Sequence, residues 1–313
     1  MRALALTGGV GGAKLCFGLA QILEPDELRI VVNTGDDEEF HGLYVCPDLD
    51  TVMYTLAELS NPHTGWGIKN ETFATLSALD RLGQETWFGL GDQDLATHIV
   101  RTQMLRQGNS LSEITEHFCR HLGLGHQIVP MSDDRIRTTV ETDIGTLPFQ
   151  TYFVRHRCEP TVTGLRFDGS DSSEVSPGFS ESLESSDALI FCPSNPYLSV
   201  APILSIPSVR KRIEDFKGPR LAVSPIVGGQ ALKGPAGKIL AELGEDVSCI
   251  GVARQYVGLC DVFVIDELDR DLADDVRNLG MEAVVMNTIM NNNRDKVELA
   301  RNLLQAVTEA DVR

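Results

Sequence analysis

The chain has 313 residues, 42% hydrophobic and 23% charged, which is enough apolar sequence for a sizeable core in one large domain or two moderate ones. Its formal net charge of −18, with no cluster of lysine and arginine, argues against nucleic acid as a partner. The same charge means that an anionic substrate must be met by local N–H groups, a few cations or a metal ion.

The first predicted element is a buried strand, Ala3 to Leu6. It runs into Thr7-Gly8-Gly9-Val10-Gly11-Gly12-Ala13-Lys14 and then into a helix whose apolar stripe is Leu15, Leu19, Ile22 and Leu23, with Pro25 as its limit. A strand, a glycine-rich turn and a helix start can cradle phosphate. Backbone approaches a diphosphate closely where side chains are missing, and the N–H groups of a helix N-terminus favour anions. Two standard patterns nearly fit and fail. Gly-x-Gly-x-x-Gly counted from Gly9 puts Lys14 at the last glycine, and a Walker loop counted from Gly8 has Ala13 and Leu15 in place of a glycine and a hydroxyl residue. The plain alternative is a tight turn whose glycines serve packing only.

Leu28 to Val32 reads as the second strand of a parallel strand-helix-strand unit, ending at Asn33-Thr34-Gly35-Asp36-Asp37. Ligands of such sheets bind beyond the carboxyl ends of the strands. Asn33 stands where a dinucleotide-binding protein places an acid, which counts against a nicotinamide-dependent oxidoreductase. Cys46-Pro47-Asp48-Leu49-Asp50-Thr51 opens a helix through Val52, Met53, Leu56 and Leu59. Either acid could cap it, leaving the other to project toward the ligand edge for a metal or substrate. Trp66, between Gly65 and Gly67, either stacks on an aromatic ligand or covers the core. Phe73, Leu76, Leu79 and Leu82 mark another helix. The turn Gly89-Leu90-Gly91-Asp92-Gln93-Asp94 precedes a further helix through Ile99, Val100, Met104 and Leu105, with Asp92 or Asp94 as its cap and His98 as a structural residue. Ser110-Leu111-Ser112-Glu113 is a capping box.

From Ile128 the pattern changes to an antiparallel one. Thr138 to Thr142, a turn at Asp143-Ile144-Gly145, a strand from Leu147 to Val154 and Thr161 to Phe167 form a small sheet, and Asp168 to Gly178 reads as an exposed loop. Strands resume at Ala188 to Cys192, ending in Pro193-Ser194-Asn195-Pro196, and at Leu221 to Val223, leading to Ser224-Pro225-Ile226. Lys233-Gly234-Pro235-Ala236 opens a helix, and Lys233 is either a phosphate cation or a solvated lysine. Val262 to Ile265, a helix near Leu272 to Leu279, Ala283 to Met286 and a helix near Val297 to Val307 complete the pattern, with Asp266, Glu267, Asp269 and Asp271 as solvated acids. The expectation is a single α/β domain over 1–313, a Rossmann-like, mostly parallel sheet flanked by helices, with a small antiparallel insertion at about 128–170. Seven scattered cysteines without a Cys-x-x-Cys pair suit a reducing compartment. With no signal peptide or long apolar span, a cytoplasmic protein without membrane contact is expected.

The ordered set of Gly8 to Gly12, Asn33 to Asp37, Pro47 to Thr51, Leu90-Gly91-Asp92, Pro130-Met131-Ser132-Asp133, Pro193 to Pro196, Ser224 to Ile226 and Lys233 to Ala236 resembles the 2-phospholactate transferases of coenzyme F420 biosynthesis, over about residues 3 to 290. The resemblance implies transfer of a phospholactyl, phosphoenolpyruvyl or related group from a guanosine diphosphate donor to the ribityl hydroxyl of the deazaflavin Fo, with release of GMP and with Mg2+ as cofactor. It implies that Gly9, Gly11, Gly12 and Asn33 face the donor diphosphate and that Ser194 and Asn195 meet the guanosine; Lys233, from its own place in the sequence, is the added cation on the donor side. Asp36 and Asp48 would hold the metal. Asp50 would orient the acceptor hydroxyl as the catalytic residue, and Trp66, Gly91, Asp92 and Gln93 would line the Fo pocket. Many relatives are basic where Gln93 stands. A homodimer is expected. The alternative is a non-enzymatic sugar-nucleotide-binding regulator of the same superfamily, against which the Pro47 to Asp50, Trp66 and Lys233 to Pro235 segments argue.

Overall fold

The computed structural model describes residues 1–231 and 234–311. Seven strands, β1 (Ala3–Thr7), β2 (Leu28–Val32), β3 (Gln127–Pro130), β4 (Ala188–Phe191), β5 (Arg220–Val223), β6 (Val262–Ile265) and β7 (Glu282–Val285), form one sheet in the order β7-β6-β5-β4-β1-β2-β3. Every neighbouring pair is parallel. Alternation along β1 sends Leu4 and Leu6 into one apolar layer and Ala3 and Ala5 into the other. Both faces are therefore covered, which is why these strands read as unbroken apolar runs. Helix α1 (Gly9–Ala20) returns over the Ala3/Ala5 face and packs Leu15 and Leu19 with Leu299 and Leu303 of the terminal helix Asn293–Asp311.

The chain winds outward from β1 in one direction through β2 and β3 and in the other through β4 to β7. The crevice beyond the carboxyl ends of β1 and β4 is thus the topological switch point, the place where a sheet of this type binds ligands. Beside it lies a three-stranded antiparallel sheet, with Arg137–Thr142 between Gly145–Pro148 and Val162–Asp168. Ile128 belongs to β3 of the main sheet, so the insertion starts after Pro130.

Three sequence expectations are corrected. The strand expected over Leu147 to Val154 stops at Pro148, and Thr151–Arg155 forms a π-helical turn. There Phe149 and Tyr152, three apart, pack with Val140, Leu198 and Ile239, so a helical spacing decides over the β-propensity of the run. The segment from Asp168 to Gly178 is not simply exposed, because Ser173 and Ser176 are buried; the Ser176 hydroxyl donates to the Pro130 carbonyl and caps helix Pro177–Ser185. Asp266 and Asp269 are buried as well. Asp266 accepts from Leu268 N–H, Thr288 N–H and the Thr288 hydroxyl, and Asp269 accepts from Gly228 N–H, so both tie loops to the sheet edge; Glu267 and Asp271 are exposed as expected. The capping box forms as expected, with Ser110 and Glu113 satisfying each other's backbone N–H groups.

Candidate active site at the switch point

Between β1 and α1 the chain turns through Gly8 and Gly9, the latter at φ +64°, a conformation that favours glycine. The other glycines are needed for room. A Cβ at Gly8 would meet the Asp48 Oδ2 and Ser199, at Gly11 the Pro193 carbonyl, and at Gly12 the hydroxyls of Thr7 and Ser194. The missing side chains of Gly11 and Gly12 thus admit the chain's own β4 exit. Ser194 binds this turn twice, donating to the Gly8 carbonyl at 2.8 Å and accepting from its N–H at 3.2 Å. Asn195 Oδ1 accepts from the N–H groups of Tyr197 and Leu198, while its Nδ2 is buried without a partner among the described residues. Lys14 donates from Nζ to the Met290 carbonyl.

Helix α2 (Pro47–Leu56) starts with Cys46 at its N-cap and Pro47 in the first turn, so neither Asp48 nor Asp50 caps it. Both are buried in its first turn, where the helix dipole favours them. Asp48 reaches across to α1: its Oδ1 accepts from Gly9 N–H at 2.8 Å and its Oδ2 from Asn33 Nδ2 at 2.9 Å. Asn33 Oδ1 in turn accepts from Gly35 N–H, holding the loop after β2. The insertion supports that loop from outside, with Thr138 N–H bonded to the Gly35 carbonyl and Gln150 Nε2 to that of Asp36.

Asp36, buried like Asp37, faces Asp48 across this loop. Burial, followed by the charges of Asp48 and Asp37, pushes the Asp36 carboxyl well above the usual carboxylate range. Burial does the same for Asp37. Asp48 is raised by burial to about 6, against the pull of Asn33 and Gly9. Among the described residues, Asp36 Oδ1 and both oxygens of Asp37 lack a nitrogen or oxygen partner. Asp37 is turned toward the Cys46 thiol and Arg101, while Asp36 and Asp48, buried like charges with spare lone pairs beside a helix N-terminus, suit a hard divalent cation with oxygen ligands. They would hold it where it meets an anion seated on the α1 N–H groups.

Asp50 points the other way, into helix α3 (Asp94–Arg106). Arg101 grips it with both terminal nitrogens, Nη2 on Oδ1 and Nη1 on Oδ2 at 3.1 Å. Burial raises the Asp50 carboxyl, and Arg101 and His98 only partly reverse this. His98 lies between two acids, with Nδ1 3.7 Å from Asp50 Oδ2 and Nε2 3.3 Å from Asp94 Oδ2. Atoms of Asp50, Asp94 and His98 are within 4.8 Å of one another and could share an ion.

The residues expected on the acceptor side lie on the excursion between α2 and α3. Trp66 is 52% exposed. Asp92 accepts from the Thr72 hydroxyl and from Ala74 and Thr75 N–H, so it caps helix Ala74–Arg81 and not α3. A Cβ at Gly91 would collide with Glu71, whose carboxylate accepts from the N–H groups of Gln93 and Asp94. The Gln93 side chain donates to the Asn70 carbonyl at 3.4 Å. Lys233 lies outside the described residues. Sequence reasoning took Asp94 for a helix cap and Asp37 for one of the acids after the second strand, and it passed over Arg101. The available signal was Asp94, His98 and Arg101 at helical spacing on one face of α3.

The family described as 2-phospho-L-lactate transferase CofD matches residues 4–308. A phosphoenolpyruvate transferase of Streptomyces griseus is 39% identical over 315 residues, covering 99% of this chain and 99% of its own length. A 2-phospho-L-lactate transferase of Methanosarcina mazei is 39% identical over 303 residues, covering 97% and 99% respectively. The fold is shared with a UPF0052 family protein from Bacillus halodurans, with a TM-score of 0.64 at 14% identity over 97% of this chain and 98% of that one. The match over nearly the whole chain and the two relatives together place it in one family: the chain belongs to the 2-phospho-L-lactate transferase family of coenzyme F420 biosynthesis, and it is a transferase.

Proposed function

We propose that this protein transfers a phospholactyl, phosphoenolpyruvyl or related group from a guanosine diphosphate donor to the ribityl hydroxyl of Fo, releasing GMP. The observation that carries the reading is the pair of buried carboxylates Asp36 and Asp48 beside the N-terminus of α1, facing each other as like charges. A diphosphate on the Gly9 turn needs positive charge that a −18 protein does not offer from its surface. Asp36 and Asp48, with Asp37 behind them, would hold Mg2+. When bound, the ion offsets the charge of the diphosphate and of the departing GMP.

In the transfer the ribityl oxygen bonds to the phosphorus that carries the small acid, the bond from that phosphorus to the GMP oxygen breaks, and the hydroxyl proton passes to the Asp50 carboxylate. Gly9 and Asn33 align the diphosphate, and Ser194 and Asn195 meet the nucleoside end, where the unpaired Asn195 amide nitrogen has a hydrogen bond to give. Asp50 orients the hydroxyl, while Trp66 and the Gly91-Asp92-Gln93 turn approach the deazaflavin. Displacement at a diphosphate asks for alignment and charge compensation more than for covalent participation by protein, which suits a site without a nucleophile triad. Free cysteines, six of them buried, suit a reducing cytoplasm.

The test is purified protein with Mg2+, Fo and freshly prepared guanosine diphosphate donors carrying lactate, enolpyruvate or glycerate. GMP release together with a phosphodiester-linked deazaflavin by mass spectrometry is the expected result. Absence of both with all three donors would overturn the reading.

A further inference from the structure

Arg101 is among the largest fully buried side chains, 1% exposed, in a segment that reads in sequence as a polar helix face. A buried guanidinium is unfavourable unless its donors are matched. Here both terminal nitrogens are matched, and Nε alone has no partner among the described residues. Two terminal nitrogens meet the two oxygens of Asp50 end-on, Nη1 also reaches the Tyr44 carbonyl at 3.4 Å and His98 Nδ1 at 3.2 Å, and the Phe118 ring lies 5.5 Å below the guanidinium carbon.

We propose that Arg101 is a positioning residue for the transfer reaction: its two-point grip fixes the plane of the Asp50 carboxylate and leaves the outer lone pairs for the acceptor hydroxyl. The inference rests on the transferase reading above. A guanidinium bonded through both terminal nitrogens occupies one lone pair on each carboxylate oxygen and stops the group rotating, and the second lone pair of each remains available. Charge alone would not do this, because a point cation lets the carboxylate swing.

Arg101 is itself held. Guanidinium nitrogens only donate, so His98 Nδ1 is the acceptor and the ring hydrogen sits on Nε2, facing Asp94 Oδ2 at 3.3 Å. Asp94 Oδ1 accepts from the Tyr54 hydroxyl at 2.7 Å, and Tyr54 is one turn beyond Asp50 on α2. The contacts close a ring between α2 and α3, in which the His98–Asp94 link is a close approach without hydrogen-bond geometry. The side chains that could share an ion therefore already have a cation among them, supplied by the chain.

Arg101→Lys keeps the charge and loses the two-point grip. The expected result is a folded variant with KM for donor and acceptor within about twofold of wild type and kcat per folded molecule at least about 30-fold lower. In an Asp50→Asn background the same substitution should cause no further loss of kcat, as residues that act through one another are not additive. A kcat within about threefold of wild type for Arg101→Lys, or a loss that multiplies in full onto Asp50→Asn, would overturn the proposal. If Arg101→Lys does not fold, Asp50→Asn is compared with Asp50→Asn/Arg101→Gln, which buries no charge. Equal kcat supports the proposal and a lower kcat in the double variant overturns it. Wild-type protein run alongside separates the two levels: no transfer by wild type sinks the transferase reading and this inference with it, whereas active wild type confines any failure to Arg101.

Discussion

A methyl group at Gly11 would be driven into the Pro193 carbonyl, a backbone atom fixed by the exit of β4, so it cannot be accommodated by turning a side chain. Gly11→Ala is expected to lose about 1–3 kcal/mol of stability by overpacking, measured as a lower urea midpoint at constant m-value. An unchanged midpoint would mean that the β4 exit yields, and that the glycine serves a ligand instead. Such close approaches explain what could be read at this scale. The glycine run stands out because sequence records missing side chains directly, but it does not say what fills the space. For Gly11 and Gly12 the filler is the chain's own Pro193, Thr7 and Ser194. Arg101 was passed over for the opposite reason, because the spacing of Asp94, His98 and Arg101 marks a helix face without saying that it is buried. An arginine on a helix with ordinary polar neighbours looks solvated, and only the packing of α3 on α2 buries it against Asp50. Asp266 and Asp269 were misread in the same way, since acid-rich composition does not show which acids turn inward.

Helix Ala74–Arg81 shows what the element scale adds. Each of its eight residues is at least partly exposed, and neighbouring Phe73 and Leu82 are exposed at 46% and 77%. So short a helix with little burial is marginal in water. Its start is held by Asp92, which binds Ala74 and Thr75 N–H and the Thr72 hydroxyl, hydrogen bonds that also hold the Asp92 carboxyl well below the usual range. Asp92→Ala should therefore raise amide exchange across residues 74–81 by more than about tenfold while leaving exchange in β1 and β4 unchanged. Unchanged exchange in 74–81 would show that the helix is held by something other than its cap. The helix itself was legible from the spacing of Phe73, Leu76, Leu79 and Leu82, as was the capping box at Ser110. Its isolation from the core was not, because periodicity reports a face without saying whether anything covers it. The π turn at Thr151–Arg155 failed for a related reason: Thr, Tyr, Phe and Val favour strands locally, and a separate core around Tyr152 overrides that preference.

For the whole molecule, the reversal of winding between β1 and β4 gathers Asp36, Asp37 and Asp48 at one edge of a protein that already carries a net charge of −18. Burial raises all three carboxyls, Asp48 to about 6. Unfolded aspartates titrate near pH 4, so between there and about pH 6 the folded state binds more protons than the unfolded state. Stability of the ion-free protein therefore falls as pH rises through that window, and above it the burial of these charges stays as a standing penalty. A divalent cation binds only the deprotonated carboxylates and acts in the opposite sense: its stabilisation is present at pH 7.5 and fades as pH falls through about 6. At saturating Mg2+ the melting temperature at pH 7.5 should rise by on the order of 5 °C over protein in EDTA, and by much less at pH 5. Asp48→Asn should remove most of the shift at pH 7.5. Potassium chloride at matched ionic strength is the necessary control, because screening of the overall charge would stabilise at either pH and in the variant alike. A Mg2+ shift that survives in Asp48→Asn, or that potassium reproduces, would assign the effect to screening and leave the acids of the switch point without a metal.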